Sequence, residues 1–139
     1  MSDVPDDRWE SAWTLFNAGE FFPAHDVLEE IWSEANAADR RFYQGLIHAA
    51  VSLFHFGEAN LSGARRMYQS TLRYLTPYLG TVLPQAIDLE QFLQDYRRTF
   101  AQLAAAEHSY PDHLRLDEGL LPQIRRSHVP QNVEIRTNS

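Results

Sequence analysis

A chain of 139 residues, 44% of them hydrophobic, is long enough for one domain with its own core. It contains neither cysteine nor lysine, which excludes disulfides, thiolate ligands, thiol nucleophiles and Schiff-base chemistry. A formal charge of −7 argues against nucleic acid and anionic membrane as partners, and the acidic start, without an apolar signal core, points to the cytoplasm.

Five helices are predicted. Helix one runs from about Asp6 to Ala18; its acidic first residues suit a helix N-terminus, and Gly19 suits the stop. Trp9, Trp13 and Phe16 form its apolar stripe. Helix two starts near Pro23, favoured in a first turn, and ends near Ala35. Helix three, with Asp39 as the expected cap, runs to Gly57, and from Phe42 to Gly57 it carries no charged residue. A helix apolar nearly all round is expected at the centre of a fold. Its one polar stripe holds Gln44, His48, Ser52 and His55, and buried polar groups need partners. Asn60 can cap helix four, which ends near Pro77; Asp88 can cap helix five, whose inward face is Leu89, Phe92, Leu93, Tyr96, Phe100 and Leu103.

The helical domain is expected to span residues 1–108, with an irregular tail at 109–139. Pro111, Pro122 and Pro130 interrupt that tail, and the alternation around Leu114 and Leu116 permits a short extended segment. A faint repeat links Phe16–Glu20 to Phe54–Glu58 at an offset of 38 residues, near the length of tetratricopeptide-type hairpins. The expected architecture is an all-α bundle of about five helices, built from antiparallel hairpins of that kind.

Helix two carries the sharpest chemistry. His25 and Glu29 are four apart and therefore neighbours on one strip with Trp32. A carboxylate beside an imidazole can fix its tautomer, raise its pKa or share a metal with it. If helix three packs antiparallel to helix two, His25 and Glu29 can face His48 or His55. His48 and His55 are seven apart, or roughly 10 Å along the axis, too far to share one ion. A metal site would therefore combine His25 and Glu29 with His48 or His55, completed by water, Gln44 or Glu30. The first reading of the cluster is a satisfied polar network; a divalent metal site and a metal-free acid–base pair are the alternatives. Arg40 and Arg41 open helix three at its positive end, where cations are disfavoured. Glu29, Glu30 or Glu34 is expected to neutralise them, and an anion bound at Arg41 is the functional alternative.

The segment from Phe16-Asn-Ala-Gly-Glu-Phe-Phe-Pro-Ala-His25 through Glu29-Glu30-Ile-Trp32, with Arg41-Phe-Tyr-Gln44-Gly45-Leu-Ile-His48, His55 and Asn60-Leu-Ser-Gly63-Ala64, resembles the family called domain of unknown function 309. The resemblance covers about Trp9 to Tyr78. It implies a small all-helical fold and no activity. The family pattern has His-Glu where this chain has His25-Asp26, and often Gln at the place of His48. It therefore favours His25, Glu29, Glu30 and Gln44 as site residues. The functional expectation is a non-enzymatic module that self-associates or binds a protein. A metal-dependent, hydrolase-like enzyme and a binder of small anions are the alternatives. No resident cofactor is expected unless that metal is present.

Overall fold

A computed structural model of the chain describes residues 6–106, 109–111 and 113–127. It contains six helices: α1 (Asp6–Asn17), α2 (Phe21–Glu34), α3 (Ala37–Gly57), α4 (Leu61–Leu75), α5 (Leu89–Thr99) and α6 (Ala101–Ala105). The all-α expectation holds, and among the described residues β-structure is confined to one isolated bridge, Ile87 to Arg126. No described helix is long and apolar enough to cross a membrane.

The caps follow local chemistry. Asn60 accepts from the Gly63 N–H at 3.2 Å and Asp88 from the Gln91 N–H at 3.1 Å, as expected of N-caps. For α3 the cap is Asn36 rather than Asp39: its Oδ1 accepts from the Asp39 N–H at 2.9 Å. Asp39 sits in the first turn, where its charge suits the helix dipole. Helix α2 begins two residues before Pro23, which still falls in the first turn. The fifth predicted helix is two, broken at Phe100, where the backbone leaves helical geometry at φ −100° and ψ 9°.

The faint repeat is real in the backbone but shifted. Gly19, left-handed at φ +82°, ends α1, and the Glu20 N–H reaches back to the Leu15 carbonyl at 2.9 Å. After α3 the left-handed residue is Ala59 at φ +62°, and the Asn60 N–H reaches the His55 carbonyl at 2.9 Å. The two turns therefore correspond forty residues apart rather than 38, and Gly57 is the last helical residue, not the closing one.

The first four helices pack as successive antiparallel pairs. Phe16 meets Phe21 while Arg8 reaches Glu34, across α1 and α2. Phe22 meets Phe54 while Arg40 lies over Trp32, across α2 and α3. Gly45 meets Leu75 while Ala64 is buried at the other end of α4. Helix α3 is accordingly central, with Phe42, Leu46, Ala49, Ala50 and Leu53 fully buried. Helix α5 and the Phe100 that follows it close the core through aromatic contacts: Phe92 on Phe16, Tyr96 on Tyr68 and Phe100 on Phe56.

The described part of the tail packs on the helices. Leu114 and Ile124 are buried. The Asn17 side chain pairs with Ile124 as a strand would: its Nδ2 donates to the Ile124 carbonyl at 2.9 Å and its Oδ1 accepts the Ile124 N–H at 2.7 Å. The Trp13 indole N–H donates to the same carbonyl, and the Thr99 hydroxyl donates to the Leu120 carbonyl. Pro130 lies outside the described residues.

Candidate functional site

The polar stripe of α3 is half-buried and opens between α2 and α4. Arg40, Gln44, His48, Val51 and His55 are all partly exposed, whereas most residues between them are buried. Spacings of three and four residues keep these positions on one face. Ser52 leaves the stripe: it is fully buried, donates to the Ala49 carbonyl at 2.7 Å and pairs with the Tyr96 hydroxyl at 2.7 Å.

His48 faces α4, not the His25–Glu29 pair. Its Nδ1 lies 2.6 Å from the Ser70 hydroxyl, and its Nε2 lies 2.8 Å from the Gln44 amide nitrogen. An amide NH₂ only donates, so Nε2 is the acceptor and Nδ1 carries the hydrogen. Nδ1 then donates to Ser70, so in this arrangement the imidazole is not a base toward the hydroxyl. The Tyr74 ring stands edge-on to His48, with centroids 4.9 Å apart at 90°. Burial, reinforced by the Arg73 charge, pushes the His48 pKa below the usual histidine value.

His25 sits at the other edge of this face, with its side chain 16% exposed. Its Nδ1 lies 3.0 Å from the Phe22 carbonyl oxygen and 3.5 Å from the Asp26 carboxylate. A carbonyl only accepts, so Nδ1 carries the hydrogen and Nε2 is turned to Glu29, 3.4 Å away. Among the described residues, one group of three metal-capable side chains has ligand atoms within 4.8 Å of one another: His25, Asp26 and Glu29. Neither His48 nor His55 belongs to it, so the expected set of His25, Glu29 and His48 is corrected. His55 instead pairs with the Asn60 side chain at 3.2 Å.

The expected ion pairs of α3 are also rearranged. Glu34 and Glu30 go to Arg8 on α1, at 3.2 and 3.8 Å. The Arg8 guanidinium holds the Glu34 pKa below the usual carboxylate range. Arg40 and Arg41 are carried by aromatic faces: Arg40 lies 4.4 Å from the Trp32 ring centre, Arg41 4.4 Å from that of Tyr74. The cations at the start of α3 are thus stabilised by ring quadrupoles rather than carboxylates. Phe22, 51% exposed, completes the face beside His25 and Phe54, with ring centres 5.0 and 5.2 Å away.

Asp26, Ser70, Arg73 and Tyr74 were not singled out by sequence reasoning. Asp26 reads as an outward residue on the helical wheel. Ser70 and Tyr74 are four apart on α4 and share a strip, but nothing in the chain says that this strip meets His48.

Residues 9–67 match the family model described as "Domain of unknown function (DUF309)", which bears out the resemblance over that stretch. An uncharacterized protein of Bacillus subtilis (strain 168), YpuF, is 29% identical over 85 residues, covering 60% of this chain and 49% of that protein. An uncharacterized protein of Aquifex aeolicus (strain VF5) is 43% identical over 65 residues, 45% of this chain and 20% of that one. The chain thus spans about half of one curated relative and a fifth of the other. No solved structure matches. His25, Glu29, Gln44, His48 and His55 fall inside the family segment; Ser70, Arg73 and Tyr74 fall beyond it.

Proposed function

We propose that this DUF309 chain is a non-enzymatic, cytoplasmic helical module that binds a second copy of itself or another protein through its α2–α3–α4 face. The reading rests on the composition of that face. It presents exposed Phe22, the Trp32–Arg40 pair and the Arg41–Tyr74 pair in one helical layer. Tyr, Trp, Phe and Arg are the residues that dominate protein interfaces, because they combine large contact area with a polar edge. The layering of antiparallel hairpins beneath this face is how tetratricopeptide-like modules present a binding surface. The hydrogen-bond direction at His48 is in accord with a binding role, since Ser70 is not primed as a nucleophile.

The test is a photo-crosslinking amino acid placed at Phe22 and, separately, at Gln69, exposed on α4 and turned about 100° round the helix from Ser70, combined with sedimentation across concentration. Crosslinks from position 22 to a second copy or to one defined protein, absent from position 69, are the expected result. A chain that remains monomeric at the highest concentration, and crosslinks no more from position 22 than from position 69, defeats the proposal.

A metal reading is favoured by one observation. With Nδ1–H held by the Phe22 carbonyl, neutral His25 aims a lone pair at a Glu29 oxygen, 3.4 Å away. Two electron-rich atoms so placed call for a proton or a cation between them. Tetrahedral ligands at about 2.1 Å from zinc stand about 3.4 Å apart, and a metal-bound histidine commonly donates its other N–H to a carbonyl. In this reading His25 and Glu29 hold a divalent ion with Asp26, and water completes the shell. Calorimetric titration of untagged protein with zinc and manganese tests it. Stoichiometric binding lost in His25→Ala supports a site; absent or substoichiometric binding leaves only the proton-bridged pair.

A further inference from the structure

A cavity of about 440 Å³ opens where α5 breaks from α6, and the described part of the tail forms its far wall. That volume lies within the roughly 300–1,000 Å³ usual for small-molecule sites. The helix is interrupted there at Phe100, and the Thr99 hydroxyl holds the Leu120 carbonyl of the tail across the gap. The depth of the cavity is apolar. Phe56 of α3 and Leu114 of the tail are 2% and 5% exposed, and Leu116 and Leu120 are half-buried. The charged residues of its wall, Arg98, Arg115 and Asp117, are exposed and therefore stand at the mouth.

The mouth is positive in a chain whose formal charge is −7. One arginine from α5 and one from the tail line it against a single carboxylate. That carboxylate, Asp117, already accepts the Gly119 N–H at 2.9 Å. Arg98 gives one N–H to Asp95 at 3.0 Å, a residue 18% exposed in its side chain and outside the lining. Arg115 gives one N–H to the Leu114 carbonyl at 2.9 Å. A guanidinium has five N–H donors, so each arginine is tethered beside the cavity and keeps donors for an incoming group. His113, also exposed, adds an imidazole to the same mouth. Guanidinium forks recognise carboxylate and phosphate oxygens in bidentate fashion.

We propose that this cavity binds a small amphipathic anion. Its carboxylate or phosphate head meets Arg98 and Arg115 at the mouth, and its hydrocarbon body lies on Phe56, Leu114, Leu116 and Leu120. Removing that body from water supplies the affinity, and the arginines fix which end stays at the mouth. A bare acid or a bare hydrocarbon satisfies only half of the lining. The site is separate from the docking face: none of Phe22, Trp32, Arg40, Arg41 and Tyr74 lines it. All of its lining except Phe56 lies beyond residues 9–67, so it belongs to the C-terminal part of this chain and not to the family segment.

The experiment is an NMR titration of the full chain, ¹⁵N-labelled, with octanoate and with octyl phosphate, acetate and octanol serving as controls. Saturable shifts of the Thr99, Leu114, Leu116 and Leu120 amides are expected with at least one of the two anions, and binding about tenfold weaker or more with either control. The anion that binds more tightly names the head group, and either one supports the site. Arg98→Gln/Arg115→Gln should weaken the anion about tenfold and leave octanol unchanged. Arg66→Gln/Arg73→Gln, two exposed arginines of α4, should change neither. Absence of saturation with both anions overturns the proposal, as does octanol binding as tightly as octanoate. Anion binding undiminished in the first double variant, or equally diminished in the second, overturns it too. Arg98 and Arg115 are exposed, so their variant is expected to keep the native amide spectrum. If it does not, the parent chain gives the same answer: added sodium chloride should weaken octanoate and not octanol, and equal response of the two defeats the arginine contact. Crosslinking from position 22 is indifferent to either result, so the failure of one proposal leaves the other standing.

Discussion

Gly45 is the place where α3 and α4 touch most closely, and replacing it with alanine should cost stability. A Cβ built there lies 2.4 and 2.6 Å from the Leu75 Cδ2 and Cγ atoms and 3.1 Å from the Tyr74 Cβ. Leu75 is fully buried, so its side chain has little room to swing away. With two contacts under 3.0 Å on a buried side chain, the overpacking cost falls in the upper part of the usual range, about 2–3 kcal/mol. Alanine in a helix interior returns about 1 kcal/mol relative to glycine. The balance is a net loss of about 1–2 kcal/mol, set by how far α4 can shift. Urea unfolding of Gly45→Ala against the parent chain measures it. With a slope of about 2 kcal/mol/M, the midpoint should fall by about 0.5–1 M at unchanged slope. Because α4 must move, the His48 ring resonance should shift too, through Tyr74. A midpoint that stays or rises would refute the close approach and with it the placement of α4 against the stripe.

Three other outcomes are expected. Tyr96→Phe removes the buried bond to Ser52 but leaves the Ser52 hydroxyl its Ala49 carbonyl, so the loss in urea unfolding should be only about 1 kcal/mol. Asn17→Ala strips both side-chain bonds to Ile124, and should cost about 1–3 kcal/mol and open the 120–127 segment to limited proteolysis. A segment equally resistant in both proteins would count against the strap. Finally, His48 is held below the ordinary 6.5 of a histidine by burial and Arg73. The unfolded chain therefore takes up a proton there before the folded one does. Stability from this group is full above about pH 6.5 and is lost as pH falls toward the folded pKa. The stability difference between the parent and His48→Gln should thus shrink on acidification and should shrink less in an Arg73→Gln background; growth of that difference would contradict the assigned environment.

Much of the fold is legible in local chemistry. Asn60 and Asp88 announce the starts of α4 and α5, because a side-chain acceptor is needed three residues before an orphan N–H. Gly19 announces the end of α1, because a left-handed residue is needed there. The same logic explains the misses. Asn36 and Asp39 are both competent acceptors, and only the path of the chain selects one. Ala59 takes the left-handed position without glycine, so that turn is invisible to composition. The break at Phe100 is likewise unmarked by glycine or proline.

The sequence by itself determined which residues share a face: a repeat of 3.6 residues places Gln44, His48 and His55 on one stripe of α3, and His25 beside Glu29 on α2. It also determined, by omission of cysteine and lysine, which chemistries are closed to the chain. Only the tertiary structure decided which neighbour each face meets. Helix periodicity sets the angle of a side chain about its own axis but not the rotation of the next helix. That rotation is settled by contacts distant in sequence, above all the approach of Gly45 to Leu75. It brought Ser70 rather than Glu29 to His48, gave the glutamates of α2 to Arg8, and left Arg41 on Tyr74. The uncharged helix is central as its composition required, yet its polar stripe is an open surface, because α2 and α4 pack on its flanks and not over it.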